Sequence, residues 1–265
     1  MLQLEEKILI YNNIIDFNFK NFSRAYFVKI SIDESDDETN IVSFKVAINY
    51  TKEFRNSYYL AEVTISDFLM NAELPQTMMQ NFAIDCNRAI EKCIFQVNTS
   101  NEIVGLDNHN EILEKWYIVK QKLHEENEGE LIDKYVLLFE NMLVNKDLLL
   151  QKMQKNLFIN QYFFPIFGEV YHGFKKINIE KFNFFDVDYE QEMLVEIENN
   201  GNFDKNDNFI VHKKIIKNTN NTSENIITDY HTQYVLHKDK SIQKIFGEFL
   251  NNNKKYSFEI DGAIV

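Results

Sequence analysis

Between Ile14 and Ser66 apolar and polar residues alternate with a period of two. Ile15, Phe17 and Phe19 are separated by Asp16 and Asn18; Tyr26, Val28 and Ile30 follow, then Val42, Phe44, Val46 and Ile48, and finally Tyr59, Ala61, Val63 and Ile65. Successive side chains of a strand point to opposite faces, so this alternation predicts antiparallel strands with one face buried. The interruptions at 33–39 and 51–57 are acidic or polar and read as turns.

Beyond Pro75 the period lengthens. Met78, Met79, Phe82, Ala83, Cys86, Ala89 and Ile90 predict a helix reaching about Cys93, with Pro75 in its first turn, where a missing N–H costs nothing. A hairpin follows, Ile94 to Asn98 and Glu102 to Leu106 around Thr99-Ser100-Asn101. Asn108 can cap a helix carrying Ile112, Trp116, Val119 and Leu123, in which Glu111 stands one turn from Lys115. After a break at 124–129, a longer helix is predicted through Ile132, Val136, Phe139, Leu143, Leu150, Met153 and Leu157. Two such helices with a short link make an αα-hairpin. An aromatic cluster comes next, and period two returns from Phe184. Strands are predicted near 185–197, 209–217, 226–236, 241–250 and 256–260, joined by asparagine- and glycine-bearing turns.

The elements together predict an α+β fold: curved antiparallel sheet from the N- and C-terminal halves, with an inserted α-helical hairpin. The chain divides into a β-rich half with one helix (1–106), a helical and aromatic part (107–178) and a β meander (179–265), and the two β-rich parts are compatible with one continuous domain. In architecture alone, a curved sheet with helices against one face resembles the half-barrel carriers of lipoproteins. No motif in the chain points to that family.

Composition adds a constraint on packing. The chain has 265 residues, 45% hydrophobic and 26% charged, with 23 Phe and 13 Tyr but only 7 Gly and 2 Pro. That is a globular balance with unusual aromatic mass to bury and few kinked loops. Charge narrows the partners: 41 acidic against 28 basic residues leave −13. Nucleic acid and anionic membrane surfaces call for concentrated lysine and arginine, which are absent, whereas a basic protein surface is the complement of this one. No apolar run is long enough for a membrane span, and the first residues lack a basic stretch ahead of an apolar core. Cys86 and Cys93, seven residues apart on a predicted helix, stand about 10 Å apart, too far for a disulfide. A cytoplasmic location is the expectation.

Motifs for chemistry are few. Asp204-Lys205-Asn206-Asp207-Asn208 opens like a calcium loop but continues with Phe209 and Ile215 where that loop needs glycine and a carboxylate. The six histidines have no zinc spacing, and no nucleophile elbow or glycine-rich phosphate cradle exists. No metal, cofactor or catalytic residue is expected. Binding candidates are the aromatic cluster, Tyr162, Phe163, Phe164, Phe167, Tyr171, His172 and Phe174, either plugging the helices onto the sheet or forming an exposed patch or the mouth of an apolar pocket. Asp186, Asp188, Glu190 and Glu192 alternate on one strand face, a solvated surface or a dock for lysine and arginine. The function expected is non-catalytic recognition of another protein, as adaptor, specialised chaperone or neutralising partner. The alternative is a carrier holding an apolar ligand or lipid between sheet and helices. A filled interior with an exposed patch favours the first, and a phenylalanine-lined cavity the second.

Overall fold

The computed structural model describes residues 13–15, 22–33, 39–55, 58–168, 170–171, 174–182, 191–201, 203–218, 227–251 and 254–263. The alternating stretch at the start folds into β1 (Asn13–Ile14), β2 (Phe22–Asp33), β3 (Thr39–Arg55) and β4 (Tyr58–Met70). Helix α1 (Met78–Asn87) and a 3-10 turn (Arg88–Ile90) lead into β5 (Lys92–Val97) and β6 (Ile103–Leu106). Four helices come next: α2 (His109–Glu126), α3 (Glu130–Val144), α4 (Lys146–Gln154) and α5 (Leu157–Tyr162). The chain then returns to strands, β7 (Val170–Tyr171), β8 (Lys175–Phe182), β9 (Gln191–Asn199), β10 (Phe209–Asn218), β11 (Ile227–Leu236), β12 (Ile242–Asn251) and β13 (Lys254–Ala263).

Eleven strands join in one curved, open antiparallel sheet of order β6-β5-β4-β3-β2-β13-β12-β11-β10-β9-β8, and β1 pairs with β7 in a separate ribbon. From β2 the chain steps outward strand by strand to the β6 edge. It crosses through the helices, re-enters at the opposite edge as β8, and steps back until β13 lies beside β2. The two β-rich halves therefore share one sheet, closed by a register running from Ala25↔Ala263 to Asp33↔Lys255.

Several helical expectations change. Helix α1 and its 3-10 turn end at Ile90, so Cys93 stands on β5 and not on a helix with Cys86. Pro75 precedes α1 instead of opening it: Thr77 is the N-cap, its hydroxyl accepting from Gln80 N at 3.2 Å while the Gln80 carboxamide accepts from Thr77 N at 3.1 Å. The long helix expected through Leu157 is three helices. Asn145 turns extended and its Oδ1 accepts from Asp147 N and Leu148 N, starting α4 afresh; Asn156 does the same for α5 through Ile159 N. Asparagine side chains compete with helical hydrogen bonding, which is why an unbroken apolar stripe still breaks at these positions. The insert is thus larger than a hairpin. Asn108 does stand at the N-cap of α2, but its carboxamide ties the helix to β5, accepting from Ile94 N and donating to Lys92 O. Lys115 reaches Glu91, not Glu111.

Helix α5 lies on the concave side of the sheet. Five of its six residues, all but Asn160, are buried, and its rings meet strands far apart in the sheet. Tyr162 is 5.3 Å from Tyr26 on β2, Phe158 is 5.9 Å from the same ring, and Phe163 just beyond the helix is 5.8 Å from Phe95 on β5. At its other flank Gln161 reaches β10 and β11. The sheet curls around a plug of its own chain. Helices α2 and α3 pack outside through Trp116 on Phe139 at 5.0 Å and a Lys120–Glu140 ion pair at 2.8 Å, with Phe82 of α1 against Tyr135.

Candidate functional site

Alternation puts one residue in two of each strand against the plug. Across β2 to β5 these inward residues are Tyr26, Val28, Phe44, Val46, Val63 and Phe95 among others, and none is charged. At the other end of the sheet the pattern differs. All the buried charged side chains among the described residues, Lys176, Glu180 and Lys213, lie on β8 and β10.

Lys213, 0% exposed, donates from Nζ to Glu180 Oε1 at 3.0 Å and to Gln161 Oε1 at 3.1 Å. Its ammonium also lies 3.8 Å from the centre of the Phe164 ring, a cation–π contact in a fully buried site. Tyr230 OH stands 3.2 Å from Glu180 Oε1 and 3.3 Å from Gln161 Oε1, and Tyr234 OH donates to Gln161 Oε1 at 3.2 Å. A bulge in β11 makes this possible. The register slips between Thr228 and His231, with Asp229 at φ 53°, and from there Tyr230, Thr232 and Tyr234 face inward. Burial pushes the Lys213 ammonium down to about 8, partly offset by the Glu180 charge, and pushes the Tyr230 hydroxyl up.

One atom of the cluster has no partner: Glu180 Oε2, solvent-shielded and without a hydrogen bond. Leaving a buried acceptor unsatisfied costs about 1–3 kcal/mol, more when it is charged. Glu180 forms part of the lining of an open cleft of about 540 Å³ between the two edges of the sheet. Ile103 on one bank belongs to β6, Asn178 and Ile179 on the other belong to β8, and Ile159, Phe163 and Phe164 from the plug lie between. Among the described residues no strand pairs with the outer side of β6 or β8, and these two edge strands line one seam.

Two other surfaces stand out. The convex face of the sheet carries cross-strand ion pairs: Lys214–Glu196 at 2.9 Å, Lys255–Glu248 at 2.6 Å, Lys92–Glu62 at 2.7 Å, and Lys244 with Glu259. Opposite charges facing each other across strands are the usual dress of a solvated face. The outer side of the helical layer is different. Tyr117 and Ile118 on α2, and Leu131, Leu137, Leu138 and Val144 on α3, are each 56–70% exposed.

No protein-family model matches the chain, and none of the curated proteins matches it.

Of the binding candidates read from the sequence, Tyr162, Phe163, Phe164 and Phe167 are buried, so these four form no exposed patch: their rings fill the concave side. Phe163 and Phe164 nonetheless wall the seam cleft, while Phe174 is half-buried at the start of β8. The Tyr171 side chain and His172 lie outside the described residues. So do Asp186, Asp188 and Glu190, while Glu192 sits half-buried on β9. Asp204 closes the β9–β10 turn by accepting from Asn206 N and Asn208 N, which holds its carboxyl below the usual range. Cys86 and Cys93 are free and buried, and burial pushes both thiols up to about 12. Among the described residues, no cluster of three or more His, Cys, Asp or Glu could hold a metal, and no helix is long and apolar enough to cross a membrane.

Sequence reasoning missed Glu180, Lys213, Gln161, Tyr230 and Tyr234. A signal for one was available. In Phe209-Ile210-Val211-His212-Lys213 the lysine occupies the inward position of an alternating strand, where an apolar residue belongs. The bulge that turns Tyr230 inward leaves no such trace.

Proposed function

We propose that the protein is a non-catalytic recognition module that docks a basic protein partner on the outer face of α2 and α3. The observation that carries the reading is the set of six large apolar side chains left exposed on that two-helix layer, since soluble proteins rarely expose such a patch without a use for it. On α3, helical geometry puts Leu131 and Leu138 on the side turned from the core and Leu137 and Val144 on its flank. Leu131 and Leu138, and Leu137 and Val144, are heptad pairs, and Leu138 lies about 200° around the helix from the buried Val136. The surrounding segment from His109 to Val144 holds eight acidic and four basic side chains, which favours a partner whose apolar contact is rimmed by lysine and arginine. Carriage of an apolar molecule is the weaker reading, because α5 and its rings occupy the space between sheet and helices that a cargo would need.

The test is site-specific photo-crosslinking at positions 117 and 138 in cells expressing the chain. A protein adduct is expected, weakened at high salt and lost in Leu131→Glu/Leu138→Glu, while thermal unfolding of that variant stays near that of the wild type, as surface changes usually leave it. Adducts only to lipid, or only to a second copy of the chain, overturn the reading.

A further inference from the structure

Strand β8 inverts the pattern that its neighbours obey. On β9 and β10 the inward residues Met193, Val195, Ile197, Phe209 and Val211 are apolar, with Asn199 and Lys213 the polar exceptions. On β8 the isoleucines face outward, Ile177 62% and Ile179 57% exposed, and Lys176 and Glu180 face inward. Inward charge on an edge strand is a known guard against strand-on-strand association. That guard accounts for Lys176, which is buried and donates to Pro165 O. It does not account for a buried carboxylate oxygen with no partner, nor for two isoleucines displayed at the edge it should protect.

The main-chain groups on the banks of the seam have unusual partners. Ile179 N donates to the carboxamide of Asn178 at 2.9 Å, and Ile103 O on the opposite edge accepts from the carboxamide of Gln154 at 3.5 Å. Both partners are side-chain amides, and the amides of a peptide main chain can replace them like for like.

We propose that the seam binds an extended, cationic segment of a protein. Its main chain adds to the free edge of β8, and its side chains on one face cover Ile177 and Ile179. On the other face a lysine or arginine enters the cleft toward Glu180 Oε2. That oxygen is shielded from solvent, so seating the cation takes a small side-chain adjustment at the cleft floor. The ring faces of Phe163 and Phe164 suit an ammonium or guanidinium group. The ionisable groups around the cleft are Glu102 and Glu180 with Lys155, Lys213 on the far oxygen of Glu180 and Lys176 on Pro165 O, so they balance locally. What favours a cation is the unpartnered Glu180 Oε2 at the cleft floor and the net charge of −13 that draws a basic segment to the surface. The proposal rests on reading the protein as a recognition module but uses a surface separate from the helical face.

A display library of random twelve-residue peptides, panned against the full chain, tests it. Selected sequences are expected to combine lysine or arginine with β-branched residues. Replacing the cation of a selected peptide by norleucine is expected to weaken binding more than tenfold by fluorescence anisotropy, and amide exchange across 175–182 is expected to slow when the parent peptide binds. Ile179→Pro removes the edge N–H without touching a bond to β9 and is expected to abolish binding. Should that variant fail to fold, Ile177→Lys/Ile179→Lys, at outward positions, is expected to lose binding equally. Selecting no peptide, selecting peptides without cations, or finding exchange at β8 unchanged overturns the proposal. Leu138→Glu separates the two surfaces: peptide binding at the seam is expected to survive it, so loss of the helical-face reading leaves this one standing, and the reverse.

Discussion

Strands β2 to β5 and strands β8 to β11 press against the same plug from opposite ends of one sheet, yet they meet it with different chemistry. The first group buries aliphatic and aromatic side chains with neutral polar partners, Tyr26 OH donating to Ile242 O at 2.9 Å and Asn101 to Tyr162 O at 3.1 Å. Arg24, the cation that reaches them, is part-buried at the rim on the same Ile242 carbonyl. The second offers an ammonium, a carboxylate, a carboxamide and two phenols around a single buried point. A dry face gains stability in proportion to the area it hides and is insensitive to pH. A buried ion pair gains little over an apolar filling and loses heavily when one member goes, so its presence is weak support for stability and stronger support for a specific role. The polar end is also the end whose edge strand is inverted and whose cleft is open. Among the described residues, buried charge is confined to one half of the sheet.

The sharpest way to break this contrast is to unpair the buried charges. Lys213→Met leaves Glu180 buried without its cation and is expected to cost about 3–5 kcal/mol in urea unfolding, whereas Lys213→Met/Glu180→Leu is expected to recover most of that loss. Equal costs for the single and double variants would mean that the pair does not act as a unit. A second contrast is in pH. Lys213 holds its proton up to about 8 in the native state, against 10.5 for the ordinary lysine value. Between about pH 8 and 10 the unfolded chain therefore binds a proton that the native chain has released, and stability contributed through this group rises with pH. The wild type is expected to gain about 2 kcal/mol on the double variant across that window. Burial, the largest cause of their raised values, holds the protons of Tyr230, Cys86 and Cys93 in both folded proteins across that window, so they drop out of the difference. A gap independent of pH would show that burial does not shift this lysine. The smallest effect belongs to the dry end: Ile48→Val is expected to cost about 1 kcal/mol, the same at pH 7 and pH 9.5, in matched urea melts.

How far the sequence reveals this contrast depends on which end is read. Period two finds β2, β3, β4, β9, β10, β11, β12 and β13 because their buried residues are apolar and evenly spaced, as Val28, Phe44, Val46 and Ile245 show. It passes over β8, whose two isoleucines stand among charges and face the wrong way. Order along the sheet is invisible to a local pattern, so nothing in the chain says that β6 and β8 meet at one seam. Helix ends set by Asn145 and Asn156 are legible as capping residues only once the apolar stripe around them is set aside. The aromatic segment was legible as a plug, but its polar counterpart was not. Gln161 sits one residue before Tyr162, and its role depends on Lys213 and Tyr234, 52 and 73 residues away in the chain.

The pairing of β13 with β2 bears on how the molecule is made. Ala25 finds its partner only when Ala263 has been synthesised. At ribosomal speeds that delay is roughly 10–50 s, during which the edge of β2 stands bare on the nascent chain. The last strand of this sheet to leave the ribosome is thus the one that completes its middle.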